Sequence, residues 1–114
     1  MVQRFVLPWP PSVNTWTRCH RSRAYKSKHW KTYSEGAGAV LGVAGETITT
    51  PCRAVYRLEP PTRRKYDLDN RAKIIGDCLQ EWGILEDDHL IHWLTLYKGP
   101  VFPGGRAIVK VYSS

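Results

Sequence analysis

Apolar and polar residues alternate in four short segments of the chain, and proline or glycine bounds each of them. This two-residue period predicts β-strands over residues 2–7, 51–58, 90–98 and 106–112. Proline has no amide hydrogen to donate to a strand ladder, so Pro8 and the Pro60-Pro61 pair are expected to end the strands before them. The pattern therefore predicts four separate strands.

Two segments between these strands carry apolar residues at helical spacing. In residues 70–82 one apolar stripe is followed by Gly83, which stands where a helix C-cap would use it. The stripe consists of Ala72, Ile75, Cys78, Leu79 and Trp82. Residues 27–47 are predicted as the other helix, although each of their glycines disfavours a helix by about 1 kcal/mol relative to alanine. The order β-α-β-α-β-β predicts one α+β domain over residues 1–114, a small mixed sheet with two helices packed on it.

Composition narrows the class of protein. The chain has 114 residues, a net charge of +7 and 42% apolar residues, which is typical of a folded domain and not of a disordered tail. No apolar run approaches the roughly 20 residues of a membrane-spanning helix, so no membrane partner is expected. Its three cysteines are odd in number and widely separated, which favours free thiols in a reducing cytoplasm over disulfides or zinc.

The charges are unevenly distributed along the chain. Residues 1–34 contain seven Lys or Arg and no acid, whereas residues 66–88 contain seven Asp or Glu and only two basic residues. Basic surface favours a polyanionic partner such as nucleic acid. A protein that only neutralised phosphates would gain nothing from a nearby acidic segment. A protein that holds a divalent cation against a phosphate needs both basic residues for the phosphate and acidic residues for the cation.

The acidic segment predicts a cluster of carboxylates. Asp67 and Asp69 are two residues apart, a spacing that places both side chains on one face of an extended chain. The following helix and Gly83 then return the chain, which brings Asp87 or Asp88 back towards Asp67. Converging carboxylates repel one another unless they are protonated, separated or neutralised by a cation. Oxygen ligands of this kind select Mg²⁺ or Mn²⁺ over zinc.

A simpler interpretation of the same residues stays open. Asp69 is a good N-cap for the helix, with Asn70 as a second candidate. Lys73 stands four residues from both Asp69 and Asp77, as in ordinary helix ion pairs, and residues 86–88 would suit a solvated turn. In the catalytic interpretation Lys73, one turn into the helix, instead reaches the phosphate that is cleaved.

Basic and aromatic residues surround this segment and predict DNA contacts. Arg63, Arg64 and Lys65 directly precede the acidic motif and are the strongest phosphate-binding candidates. Three more arginines lie in a stretch that also contains aromatic residues: Arg18, Arg21 and Arg23, with Trp16, Tyr25 and Trp30. The aromatic rings could stack on unpaired bases. A solvated loop is the alternative for the arginine run.

Together these motifs resemble the RusA family of Holliday junction resolvases. The matching stretches are Leu7–Ser12 with Asn14, Asp67–Asn70 with Lys73, Leu85–Asp88, and Gly104–Arg106. The resemblance implies a homodimer that makes paired nicks in a four-way DNA junction at two Mg²⁺-dependent sites. It implies that Asp67, Asp69 and Asp88 are the metal-binding catalytic carboxylates and that Lys73 is the essential lysine. Asn14 falls in the matching proline-rich stretch and is assigned to DNA binding, whereas Tyr66 stands where the family often has a basic residue.

The sequence is compatible with two other functions. One is a module that binds DNA junctions without cleaving them, and the other is a metal-dependent nuclease acting on other branched DNA or on RNA.

A dimer would present identical sites to opposite strands of a junction. Its interface could use Trp82, Trp93 or the C-terminal strands, with Trp82 favoured as core. The resemblance places the protein in the bacterial cytoplasm, encoded by the bacterium or by a phage.

Overall fold

The computed structural model describes residues 2–11, 28–42 and 46–113. The elements are β1 (Val2–Pro8), α1 (Lys28–Leu41), β2 (Cys52–Glu59), α2 (Leu68–Glu81), a 3₁₀ helix (Asp88–Leu90), β3 (Ile91–Lys98) and β4 (Arg106–Ser113). Their order confirms the predicted β-α-β-α-β-β arrangement, and one mixed sheet with two helices confirms the α+β class.

The four strands form one sheet in the order β1-β4-β2-β3. Strand β4 is antiparallel to both β1 and β2, whereas β2 and β3 are parallel. A parallel pair needs a crossover connection, and α2 lies in that crossover. The chain therefore leaves the end of β2, passes through α2, and returns to the opposite end, where Ile91 of β3 pairs with Cys52 of β2.

The core lies between one face of the sheet and the two helices. Alternate residues of the strands are buried there, including Leu7, Tyr56 and Val109. Four of the five residues predicted as the apolar stripe of α2 are buried: Ala72, Ile75, Cys78 and Leu79. Burial of this stripe against the sheet is the main source of stability for a helix of this length.

The fifth residue, Trp82, follows α2 and is 40% exposed, so it is only partly core. Its indole N–H donates to Ser34 Oγ at 3.0 Å, which ties it to α1. A Cβ at Gly38 would lie 2.3 Å from the indole ring, so this glycine allows the ring to pack directly on the α1 backbone. The low helix propensity of α1 is thus partly explained by close packing.

Two element boundaries differ from the predicted ones. Helix α2 begins at Leu68 rather than residue 70, because Asp67 has the extended backbone of an N-cap, with φ −98° and ψ 131°. Helix α1 ends at Leu41 and not near residue 47. Pro8 belongs to β1, where it is the last residue of an edge strand and pairs with Arg106.

The described residues contain no helix with the length and apolar character needed to cross a bilayer.

Candidate active site

The segment after α2 carries its acidic residues back against the helix. Gly83 has φ +78°, a left-handed conformation that ends α2, and the amides of Ile84 and Leu85 both donate to the Leu79 carbonyl. The Asp88 amide then donates to Gln80 Oε1 at 3.1 Å. Asp88 is therefore fixed alongside the last turns of α2.

Lys73 is the residue that Asp88 meets. Its ammonium nitrogen lies 3.1 Å from Asp77 Oδ1 and 3.8 Å from Asp88 Oδ2. The hydrogen bond to Asp77 raises the pKa of Lys73 above its ordinary value, the charges of Asp77 and Asp88 add to this, and partial burial opposes it. The structure thus brings together two of the predicted site residues and adds Asp77, which the sequence indicated only as a helix pair.

A buried hydroxyl lies beneath this group. Tyr56 of β2 is 1% exposed, and its hydroxyl has no hydrogen-bond partner within the described residues. Burial raises the pKa of Tyr56 above its ordinary value, and the charges of Cys52, Asp88 and Asp77 raise it further. Tyr56 therefore stays neutral near the acids. Its inward position in a strand predicts only a core residue, so the sequence offered no signal for this proximity.

Asp67 and Asp69 occupy the entrance of α2. Asp67 is the N-cap, but its carboxylate makes no capping bond and instead accepts a hydrogen bond from Asn70 Nδ2 at 3.2 Å. Asp69 is exposed in the first turn. The prediction that both acids share an extended segment is wrong because the helix starts between them. The alternative with Asp69 as N-cap is wrong for the same reason.

The described residues do not form a ready-made metal cluster. Among them, no three Asp, Glu, His or Cys side chains are close enough to hold an ion together. The oxygen donors of Asp67, Asp69 and Asp88 have the chemistry that Mg²⁺ requires, while Asp88 is neutralised by Lys73. About 6 Å of helix rise separates Asp69 from Lys73. The Mg²⁺ site therefore remains a prediction that rests on donor chemistry.

Asp87 differs from its neighbour Asp88 in its contacts. Its carboxylate accepts from the His89 amide at 3.0 Å, which caps the 3₁₀ helix, and its Oδ1 lies 2.9 Å from His89 Nδ1. The backbone hydrogen bond is the main cause that lowers the pKa of Asp87. Of the two adjacent acids, Asp87 organises the turn and Asp88 faces Lys73.

The basic residues before α2 lie beside this entrance. Arg63, Arg64 and Lys65 are all exposed in the loop that joins β2 to Asp67. The other predicted DNA contacts, Asn14, Arg18, Arg21 and Arg23, lie outside the described residues, as do Trp16, Tyr25 and the side chain of Trp30.

Aromatic residues form a corner next to the basic loop. The rings of Trp9 and Tyr66 meet edge to face, with centroids 5.1 Å apart and an interplanar angle of 85°. Arg71 of α2 donates from Nη1 to the Pro10 carbonyl at 2.5 Å and stacks near the Trp9 ring. The proline-rich segment after β1 is thereby tied to the start of α2. The sequence matched this segment to a family motif but gave no structural role for Trp9 or Arg71.

A buried carboxylate at the end of β2 stabilises the sheet next to the Trp9–Tyr66 corner. Glu59, the last residue of β2, is 3% exposed and accepts hydrogen bonds from Arg57 Nε at 2.7 Å and from Arg106 Nε. The hydrogen bond from Arg106 is the main cause that lowers the pKa of Glu59. Next to Arg106, Gly105 has φ +74°, and a Cβ there would lie 2.8 Å from both Trp9 and Pro61. The Gly-Gly-Arg motif therefore closes the corner.

Glu59→Gln is expected to destabilise the protein by about 2–3 kcal/mol at pH 7, because two charge-assisted hydrogen bonds lose their anion. The folded pKa of Glu59 is depressed, so its contribution is complete above the unfolded value of about 4.3 and is lost as the pH falls through the folded value. Urea unfolding of wild type and variant from pH 7 to pH 3 measures the difference. A difference that stays constant across this range would contradict the assignment.

Comparison with known proteins gives one family. The family model described as endodeoxyribonuclease RusA matches residues 8–112. A crossover junction endodeoxyribonuclease of Enterobacteria phage HK97 is 33% identical over 110 residues, covering 95% of this chain and 92% of that protein. The crossover junction endodeoxyribonuclease RusA of Escherichia coli strain K12 is 34% identical over 102 residues, covering 88% and 85%. A relative with the same description from Enterobacteria phage 82 is 31% identical over 102 residues.

Proposed function

Because the chain belongs to the RusA family of endodeoxyribonucleases, we propose that it resolves four-way DNA junctions by hydrolysing one phosphodiester bond in each of two strands. The active unit is a homodimer, and each protomer uses Mg²⁺, for which Mn²⁺ substitutes. Family membership supports DNA hydrolysis as the chemistry, and the names of the relatives support a crossover junction as the substrate. The site of action is the bacterial cytoplasm, where bacterial and phage DNA recombine.

The observation that carries this proposal is the approach of Asp88 Oδ2 to Lys73 Nζ, at 3.8 Å. It joins the acid after α2 to the lysine one turn beyond Asp69. A solvated acidic turn would need no such contact, and no buried hydroxyl behind it. Tyr56 lies there with an unpartnered hydroxyl among the described residues. Polar groups whose pKa values are shifted by burial and by neighbouring charges, as those of Lys73 and Tyr56 are, are typical of a reactive site rather than of surface charge.

We assign the carboxylates of Asp67, Asp69 and Asp88 to the metal ion. When bound, Mg²⁺ polarises a phosphate oxygen and lowers the pKa of a coordinated water. Lys73 supplies a fixed positive charge to the phosphate, where negative charge develops during cleavage. Asp77 keeps the ammonium group in place through its 3.1 Å hydrogen bond. A scissile phosphate therefore meets both a cation-binding face and a permanent cation.

The loop before α2 supports binding of the DNA backbone. Arg63, Arg64 and Lys65 are exposed within four residues of Asp67. Phosphates neutralised by such side chains release counterions, so junction affinity should fall steeply with salt. The positive charge of the loop thus holds the DNA backbone near the carboxylates, which would otherwise repel its phosphates.

Strand β3 is the surface that best fits a second copy of the chain. It forms one edge of the sheet and is exposed along most of its length, with Trp93 66% and Leu94 43% exposed. An exposed apolar edge strand is a template for pairing with another strand unless something covers it. A two-fold related copy satisfies the edge and presents two equivalent sites to a junction.

Trp93→Asp is expected to convert the dimer to a monomer at micromolar concentration, because it places a charge in the proposed apolar interface. Sedimentation velocity measures the mass, and a nicking assay on a junction within a supercoiled plasmid should show single nicks in place of paired ones. Val2→Asp, at an exposed position on the opposite edge strand, is the matched control and should remain dimeric. A dimeric Trp93→Asp protein would exclude β3 as the interface.

The function itself is tested with a synthetic four-way junction and purified protein, with and without Mg²⁺. Wild type should cut two opposite strands only when the metal is present, whereas Asp69→Asn should bind the junction and leave it intact. Equal cleavage by the two proteins would refute the site. Salt-sensitive binding without any cleavage by wild type would identify a binding module instead, and preference for flaps or RNA would identify another nuclease.

A further inference from the structure

The aromatic corner encloses a cavity that the proposed carboxylate site does not use. It measures about 410 Å³, within the size range of small-molecule sites. The residues that line it include two aromatic rings and three cations: Trp9, Tyr66, Arg64, Lys65 and Arg71. None of the described residues that line it is acidic. Its chemistry matches a flat ring joined to an anionic group such as a phosphate.

The cavity is held in shape by contacts that do not depend on a ligand. Trp9 and Tyr66 support each other edge to face, and Tyr66 also donates from its hydroxyl to the Leu58 carbonyl at 3.4 Å. Lys98 lies over the Tyr66 ring at 4.5 Å. Because Gly105 has no side chain, Trp9 and Pro61 can both pack closely against its backbone. Such preorganisation lowers the entropic cost of binding.

The cations of the cavity divide into two kinds. Arg71 is committed to the Pro10 carbonyl and to the face of Trp9. In contrast, the side chains of Arg64 and Lys65 are exposed and make no ion pair with any residue in the described ranges. The free cations stand on the same loop as Tyr66, so a phosphate bound to them places the attached base near the rings. Aromatic side chains bind unpaired bases of any sequence through their faces.

The position of the cavity selects which nucleotide can enter. Tyr66 directly precedes Asp67, so the cavity and the carboxylates lie on consecutive residues of the chain. A base paired within a duplex is stacked on both faces and cannot reach such a cavity, whereas a base at a branch point is more easily unstacked. The nucleotide that can reach the cavity is therefore an unstacked one next to the phosphate that is cleaved.

We propose that this cavity binds one unpaired nucleotide adjacent to the cleaved phosphodiester, with its base against Trp9 and Tyr66 and its phosphate on Arg64 and Lys65. The proposal rests on the proposed function and deepens it, because it makes an unstacked base part of substrate selection. A continuous duplex offers no such base. The cavity therefore contributes to discrimination between a branched DNA and a linear one.

The test is a scan of the junction with single abasic nucleotides, in which each position near the branch point in turn lacks its base. Binding to the Asp69→Asn protein is measured by fluorescence anisotropy at fixed salt and without metal. One position per symmetric half of the junction should lose about 5- to 150-fold in affinity, the range for one stacked base. Removal of other bases should change affinity little.

Variants assign this loss to the cavity. In a Tyr66→Leu background the abasic penalty should disappear, whereas Tyr66→Phe, which keeps the ring, should retain it. Tyr112→Leu removes a ring from β4 outside the cavity and should also retain the penalty. Thr62 is exposed at the cavity wall, so Thr62→Trp tests the same point by filling the space without disturbing the core, and it too should abolish the penalty.

The outcomes separate this proposal from the proposed function. A flat abasic scan, or a penalty that persists in both Tyr66→Leu and Thr62→Trp, overturns the cavity proposal even if Mg²⁺-dependent junction cleavage is normal. A localised penalty in the Asp69→Asn protein, together with a wild-type protein that never cleaves junctions, retains the cavity and overturns the enzyme. A localised penalty that only Tyr66→Leu and Thr62→Trp abolish supports the cavity.

Discussion

Asp88→Asn is expected to reduce Mg²⁺-dependent cleavage of a four-way junction about a thousandfold, with binding unchanged or tighter. The substitution keeps the size of the side chain but removes the anion that faces Lys73 and that we assign to the metal. Loss of a negative charge also reduces repulsion of the phosphates, which favours binding. Single-turnover rates on an end-labelled junction, measured over a range of Mg²⁺ concentrations, give the effect.

The adjacent residue provides the matched control. Asp87→Asn makes the same chemical change one position earlier, where the carboxylate caps the 3₁₀ helix through the His89 amide. An asparagine oxygen can still accept that bond, so cleavage should stay within about tenfold of wild type. If Asp87→Asn lost as much activity as Asp88→Asn, the distinction between the two acids would be wrong.

Lys73→Met is expected to reduce cleavage about a hundredfold and to weaken junction binding. It removes the cation proposed to act on the phosphate and leaves Asp77 and Asp88 without the positive charge between them. The slope of log affinity against log salt should become shallower by about one unit if Lys73 meets a phosphate. The cleavage rate at saturating protein separates this chemical loss from the binding loss.

Lys110→Met serves as the comparison for Lys73→Met, because Lys110 lies on β4 and is not part of the site. It should leave the saturated cleavage rate unchanged. A Lys73→Met protein that cleaves at the wild-type rate once saturated with junction would show that the lysine only binds DNA.

The sequence predicted the elements of this fold well because each carries a local signal. Alternation in strands and the apolar stripe of α2 follow directly from which side chains face the core, so the four strands and the better helix are close to their predicted ranges. The order of strands carries no such signal. That β4 inserts between β1 and β2 depends on pairing between residues far apart in the chain.

In the candidate site, too, features with a local sequence signal were predicted better than features without one. The return of the chain at Gly83 was predictable from a glycine after a helical stripe, and it brings Asp88 back to Lys73 of α2. The predicted cluster of Asp88 with Asp67 and Asp69 does not form among the described residues. The start of α2 was misplaced by two residues, and this small error put Asp69 in the wrong conformation. Boundaries depend on the N-cap backbone, to which Asp67 and Asp69 are equally suited as residue types.

Residues that act through long-range contacts could not be found from sequence. Tyr56 is an ordinary inward strand residue until α2 and the segment after it place Asp77 and Asp88 near its hydroxyl. Glu59 and Arg106 are 47 positions apart and meet only because β2 and β4 are paired. Patterns of spacing record neighbours along the chain and are silent about neighbours across the sheet.

Strand β4 follows every other strand along the chain, yet it lies inside the sheet, between β1 and β2. During synthesis, a nascent chain that has not yet released β4 from the ribosome cannot join β1 to the rest of the sheet. It also lacks Gly105 and Arg106, which complete the corner around Trp9 and Glu59. The complete sheet and the corner around Trp9 are therefore assembled only after β4 has left the ribosome, and a chain truncated before β4 lacks both.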